Sequence, residues 1–357
     1  MSESRKEIED FVRPELAGFV GYAACKSPDA FSGRVVKLDA NENNYGASPR
    51  VREALARFDG YHIYPDAVQS GLRQELADYT GVSANNIVAG SGSDQLIDLL
   101  IRLFCAPGEE IINLPPTFAM FSFYASLQGV RVVSVPRDEQ FQIDTIGVKK
   151  VVTAATKLIF IANPNNPTGT LVSEECIQEI LELGLPTVVD EAYYEFTGKT
   201  FAHQVDKTPN LMVLRTFSKW AGLAGLRVGY GLFPARVAEM LHAVRDPYNV
   251  NAAALVAARE SLQDIELLRE RVRLIASERE RLYDELMNFS WLKPYPSQAN
   301  FILCRVFQRD AKTLQAVLEA RGVLTRHFNS PGLENCIRFS VGRPEEDSIL
   351  IDELKKL

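Results

Sequence analysis

Between residues 86 and 232 the chain alternates short runs rich in β-branched residues with stretches of helix length, and that rhythm admits few folds. The runs are NIVAG, EEIINLP, RVVSVP, KLIFIA, PTVVDEAY, LMVLRTF and LRVGYGLF, and helical patterns such as SDQLIDLLIRLF, TFAMFSFYASL and SEECIQEILEL stand between them. Strands separated by helix-length segments are joined by crossovers. The expected fold class is therefore α/β, with these runs in one mostly parallel seven-stranded sheet flanked by helices. In such a sheet ligands collect beyond the carboxyl ends of the strands. Residues 252–287, rich in Ala, Glu, Arg and Leu, read as a long amphipathic helix. After it NFILCRV, AKTLQAVLEARG, VLTRHF, CIRFSV and PEEDSILIDELKKL give a strand-helix-strand-strand-helix order, a separate and smaller α+β unit. The first 40 residues lack a periodic core and read as an arm packed on that unit. The expected organisation is an arm over 1–40, a large unit over 41–250, and a connecting helix with the small C-terminal unit over 251–357.

Charge and composition narrow the partners. With 46% hydrophobic and 24% charged residues the chain can bury a sizeable core, and its formal charge of -7 supplies no basic field for nucleic acid or an anionic membrane. The opening MSESRKEIED is charged where a signal peptide would be apolar, and the most apolar window, LIDLLIRLF, is interrupted by Asp98 and Arg102. Cysteines at 25, 105, 176, 304 and 336 form no C-x-x-C pair, and histidines at 62, 203, 242 and 327 show no ligand spacing. Neither a disulfide framework nor a metal site is expected, and a reducing cytoplasm is the expected location.

Three segments at strand ends carry chemistry. In AGSGSDQLIDLL, Gly90 and Gly92 sit between a strand and a helix, leaving the N–H groups of residues 93–95 to bind an anion, or simply a helix capped by Ser93. In IANPNNPTGT two Asn-Pro pairs hold Asn166 at a fixed place beyond the strand KLIF. In PTVVDEAYYEF, Asp190 ends an apolar run, where a carboxylate is costly unless it meets a cation. That cation is either a side chain in a structural ion pair or a protonated heterocyclic nitrogen, in which case Tyr193 would reach the ring's phenolic oxygen. Finally RTFSKWAGLAGLRVGYG offers Ser218 and Arg227 to a phosphate, and an amine, Lys219, that is either a further phosphate ligand or a nucleophile. Its small residues let something bulky approach the backbone.

In their order, SGSDQ, PPTFAMF, NPNNPTGT, DEAYYEF, RTFSKWAGLAGLRVGYG, PYNVN and PSQANFIL resemble the fold-type I pyridoxal-phosphate aminotransferases, and among them the histidinol-phosphate branch. The likeness runs from KLDANENNYG to IRFSVG, most of the chain. It implies a ping-pong transamination with pyridoxal 5'-phosphate as cofactor, a small-molecule amino donor (L-histidinol phosphate in that branch) and 2-oxoglutarate as acceptor. By the same resemblance Lys219 is the Schiff-base lysine and proton shuttle, Asp190 pairs the pyridine nitrogen, Asn166 and Tyr193 hold the ring oxygen, and Phe118 stacks on the ring. The backbone of Ser93 and Asp94, with Ser218 and Arg227, would bind the cofactor phosphate. Tyr64, in HIYPD, would reach the neighbouring subunit's site, which implies a homodimer. Arg338 would grip the acidic end of each substrate, with Tyr22, Asn43 and Asn166 beside it. Two departures bear on the substrate: Asn44 stands where the family commonly has proline, and Ala23, Ala24 and Cys25 stand where a basic residue often follows the arm tyrosine, with Lys26 the nearest one. An aromatic-amino-acid aminotransferase or a decarboxylase of phosphorylated amino acids would use the same scaffold. A regulator built on this fold would need a basic helix-turn-helix, for which the arm is too short, and an inactive homologue would be expected to lack Lys219 or Asp190.

Overall fold

A computed structural model describes residues 7–19, 21, 26–31 and 33–357; Tyr22, Ala23, Ala24 and Cys25 lie outside the described residues. The seven expected runs form one sheet in the order Ile87–Gly90, Gly229–Leu232, Leu211–Thr216, Thr187–Asp190, Thr156–Ala162, Glu110–Asn113, Arg131–Ser134. All neighbours are parallel except Gly229–Leu232, which runs antiparallel to both of its partners. The connection from Leu211–Thr216 into it carries no α-helix. It is the lysine-bearing loop, closed by Phe217 N donating to Val228 O at 3.1 Å.

Alternation along the strands divides the core into two layers. Ile159 and Ile161 join one apolar cluster with Val189 and Val213, while Leu158 and Phe160 join another with Val188 and Leu214. Both faces of the central strands are thus covered, as a parallel sheet requires. Register aligns the strand ends that matter: Ala162 pairs with Asp190, and Asp190 with Leu214. The loops NPNNPTGT, EAYYEF and FSKWAG therefore leave the sheet side by side.

A second, antiparallel sheet has the order Arg326–His327, Cys336–Ser340, Phe301–Val306, Leu292–Pro294. Two details differ from the sequence reading. Residues 252–287 form two helices, Ala252–Gln263 and Ile265–Met287, because Asp264 leaves the helical region (φ -112°, ψ 29°) and ends one helix while starting the next. An aspartate competes for backbone hydrogen bonds and is a poor helix interior residue. The segment VLTRHF is also two short strands: Arg326–His327 joins the small sheet, and Val323–Leu324 pairs parallel with Val36–Lys37.

The arm divides its contacts. Arg13 donates to Leu127 O and the Phe19 ring meets Phe123 edge-on at 5.3 Å, both on the large sheet's side, whereas Lys26 reaches Glu319 and Val36–Lys37 pairs beside the small sheet. Among the described residues no helix is long and apolar enough to cross a membrane.

Candidate active site

Asp190 closes its strand inside the core, 4% exposed. Its Oδ1 accepts one hydrogen bond, from Ala192 N at 3.0 Å. A cation on the neighbouring strand serves Glu191 instead: Arg215 Nε and Nη2 both lie 3.0 Å from Glu191 Oε2, and Thr200 and Phe201 N complete that carboxylate. Asp190 thus has no ion-pair partner among the described residues, and burial pushes its carboxyl up to about 7. A buried acid in that state accommodates a protonated ring nitrogen, which would draw it back to the carboxylate.

Lys219 is half-buried, and its Nζ donates to Ala40 O at 2.9 Å. Burial first, then the field of Arg338, pull its amine down to about 8. About a tenth of the amine is then neutral and nucleophilic at pH 7, far more than for an ordinary lysine. Gly222, three residues on, serves a close approach: it has φ +70°, and a Cβ there would lie 2.5 Å from the Gly46 carbonyl carbon.

One short segment ties the site together. Asp39 O accepts from Arg338 Nη2 at 2.6 Å, Ala40 O from Lys219, and Asn41 Nδ2 donates to Tyr193 OH at 2.8 Å. Arg338 also donates from Nη1 to Asn166 Oδ1 at 2.6 Å. Asn41 holds a left-handed φ of 53° and is pinned to the small sheet by Ser340 Oγ, which takes its N–H at 2.8 Å and lies 3.0 Å from its Oδ1. Lysine, arginine and tyrosine from both sheets thus meet on three consecutive residues. The sequence reading passed over Asn41; its position in ANEN gave no sign of a left-handed backbone.

The helix start and the arginine expected to hold an anion lie together. The helix Gly92–Phe104 begins with Ser91, not Ser93, at the N-cap, because Gly92 already takes the positive φ of 75° that turns the chain into it. The helix start is pressed on the sheet, since a Cβ on Gly229 would lie 2.5 Å from Ser93 N. Arg227 reaches the same turn: its Nη2 lies 2.8 Å from Asp94 Oδ2, and a Cβ on Gly92 would lie 2.6 Å from it. Ser218 is buried beside Thr216, with 2.9 Å between their hydroxyl oxygens. Phe118 is half-buried and edge-on to Phe121 at 5.6 Å. Its loop is held to the NPNNP loop by Thr117 Oγ1 donating to Asn165 Oδ1 and Asn165 Nδ2 donating to Pro116 O. A ring-nitrogen partner, an amine of lowered pKa and an anion cup are the three groups that pyridoxal phosphate needs, and the residues fit it.

Asn43 and Tyr64 stand apart from this cluster, Tyr64 on the surface, where the resemblance assigned it to a neighbouring subunit. Asn43 gives both ends of its amide to the backbone, donating to Trp220 O at 2.8 Å and accepting from Tyr45 N at 3.0 Å, so it braces the residue after Lys219. Tyr64 is 78% exposed and stacks on Tyr248, with ring centroids 4.4 Å apart. Sequence reading also missed Arg326, which faces Arg338 directly across the antiparallel ladder and brings a second cationic side chain to that face. Its signal was the period-two spacing within VLTRHF.

Residues 33–354 match the family described as Aminotransferase class I and II. Over 353 residues the chain is 56% identical to the histidinol-phosphate aminotransferase of Dehalococcoides mccartyi, covering 98% of this chain and 99% of that protein. It is 44% identical to the histidinol-phosphate aminotransferase of Roseiflexus castenholzii, with 98% and 99% covered. Among solved structures, histidinol-phosphate aminotransferase from Sinorhizobium meliloti in complex with pyridoxal-5'-phosphate superposes with a TM-score of 0.86 at 28% identity, covering 97% of each chain.

Proposed function

The chain belongs to the class I and II aminotransferases, and from that membership we propose that it moves the amino group of L-histidinol phosphate to 2-oxoglutarate, with pyridoxal 5'-phosphate as cofactor. The donor leaves as imidazole-acetol phosphate and the acceptor as L-glutamate, a step of histidine biosynthesis. The observation that carries this reading is the convergence of Arg338, Lys219 and Tyr193 on Asp39, Ala40 and Asn41. It puts a cation for an anionic substrate end beside an amine able to move a proton.

The bound cofactor supplies a carbonyl for the donor's amine and a ring that withdraws electrons from the bond that breaks. The chain's residues do the rest. Asp190 would hold a proton on the ring nitrogen, Asn166 and Tyr193 would orient the ring, and Phe118 would cover one face. Lys219 would take the proton from the donor's Cα and deliver it to the cofactor's C4′, reversing the transfer when the acceptor is bound. Ser218, Arg227 and the N–H groups of Ser93 and Asp94 hold the phosphate. Arg338, with Arg326 beside it, receives the acidic end of each substrate in turn.

The chain acts, in this reading, as a cytoplasmic homodimer in which Tyr64 completes the neighbouring site. Support comes from exposed apolar side chains in the segment around Tyr64: Tyr61, Ile63 and Val68 lie open to solvent, and Tyr64 itself stacks on Tyr248. Residues 41–250 form the cofactor-binding unit and 251–357 the smaller unit that carries Arg338. The donor is tested by comparing L-histidinol phosphate with L-phenylalanine and L-tyrosine at equal concentration, measuring glutamate formed from 2-oxoglutarate. The phosphorylated donor is expected to give a kcat/KM at least about a hundredfold higher. Equal or better turnover of the aromatic acids would move the substrate class.

A further inference from the structure

Behind the turn that carries Gly90 and Gly92 lies a hydrogen-bonded network that none of the roles above uses. At its centre is Asn249, from the PYNVN segment. Its Nδ2 donates to Ala89 O at 3.0 Å and to Gln95 Oε1 at 2.8 Å, and its Oδ1 accepts from Gln69 Nε2 and Arg245 Nη1, each at 2.8 Å. Gln95 Oε1 takes a second hydrogen bond, from Ser91 N at 2.8 Å. Gln69 in turn accepts from Ala89 N at 3.2 Å.

The network occupies a place where the backbone needs it. Ile87–Gly90 is an edge strand of the large sheet, so one side of Ala89 has no strand neighbour. The amides of Gln69 and Asn249 bond that side as another strand would. Ala89 and Ser91 flank Gly90, and both are held, one by Asn249 and Gln69 and the other by Gln95. The direction in which Ser93 and Asp94 present their N–H groups is set by this turn. Both ends of the Asn249 and Gln69 amides are engaged, which stiffens the network, and anion binding at a helix start depends on where those N–H groups aim.

We propose that Asn249 and Gln95 are positioning residues for the cofactor phosphate, fixing the Ser91–Asp94 turn so that its N–H groups converge on one anion. This rests on reading the start of Gly92–Phe104 as the phosphate cup.

The test uses full-length protein stripped of cofactor, titrated with pyridoxal 5'-phosphate and, separately, with pyridoxal, which lacks the phosphate. Asn249→Ala removes the centre of the network. Gln95→Met, at a half-buried position, keeps side-chain length and loses the acceptor for Ser91 N, and it stands alone should the first variant fail to fold. Each variant is expected to bind pyridoxal 5'-phosphate about tenfold or more weakly than wild type, while pyridoxal affinity stays within about twofold. A parallel loss for both ligands, or no loss for either, would mean that the network serves the scaffold alone and overturns the proposal. Wild type binding pyridoxal as tightly as its phosphate would instead overturn the cup reading from which the proposal starts.

Discussion

Asp190 and Lys219 stand in surroundings that oppose their charges, and both costs are measurable. Folding raises the Asp190 carboxyl from 3.8 to about 7 through burial. Between those values the folded chain holds more protons than the unfolded one, so stability contributed at this position falls as pH rises through that window. Asn at 190 cannot ionise and keeps an acceptor for Ala192 N. Cofactor-free Asp190→Asn is therefore expected to melt several degrees above wild type at pH 8, with the gap shrinking toward pH 4, and to bind pyridoxal phosphate more weakly. Calorimetry at the two pH values checks the first part; equal melting at pH 8 would show that Asp190 is not held against its charge. The amine is displaced in the opposite sense, its pKa lowered from 10.5 to about 8, so Lys219 makes stability rise with pH between those values. The need of Asp190 for a cation was legible from its place after TVV. That Arg215 answers Glu191 rather than Asp190 was not, because adjacent acids in DEAY look alike until the strand's pleat sends them to different neighbours. Asn43 misled for a similar reason: ANEN names two asparagines, and only the left-handed backbone of Asn41 turns that one to Tyr193.

Among the elements, the loop that follows Lys219 is the most demanding. Gly222 combines φ +70° with a neighbouring backbone that an added Cβ would meet at 2.5 Å, while Gly225 has nothing within 4 Å of its own added Cβ. Gly222→Ala is expected to cost on the order of 2 kcal/mol or more and to lower turnover by displacing Lys219. Gly225→Ala should leave stability within about 0.5 kcal/mol of wild type. Urea denaturation of the pair separates the effects, and a mild Gly222→Ala would contradict the tight packing of this loop on Gly46. The central strands Thr156–Ala162, Thr187–Asp190 and Leu211–Thr216 were legible because buried parallel strands are short, apolar and bounded by turn residues. Leu292–Pro294 was not, since three residues pairing at an edge give too little pattern to read. The break at Asp264 was hidden because the apolar stripe continues on both sides of it.

In the assembled protein, the shared site proposed above would make activity depend on a second copy. The exposed face around Tyr64 and Tyr248 is expected to bury on association, so wild type should sediment at twice the 39.8 kDa chain mass. Tyr248→Asp would place a charge on that face and is expected to give monomers with turnover reduced about tenfold or more; a fully active monomer would contradict the shared site. The two-sheet plan was legible in the order of strand and helix patterns, but contacts that join the sheets at residues 39–41 are long-range and leave no local periodicity. The central claim is that this joined site performs transamination, and a single half-reaction tests it most directly. Holoenzyme is mixed with L-histidinol phosphate without a keto acid while the visible absorbance of the bound cofactor is followed. Rapid bleaching that 2-oxoglutarate reverses is expected, and no such cycle in Lys219→Ala. An unchanged spectrum in wild type, or a full cycle in the lysine variant, would contradict that claim.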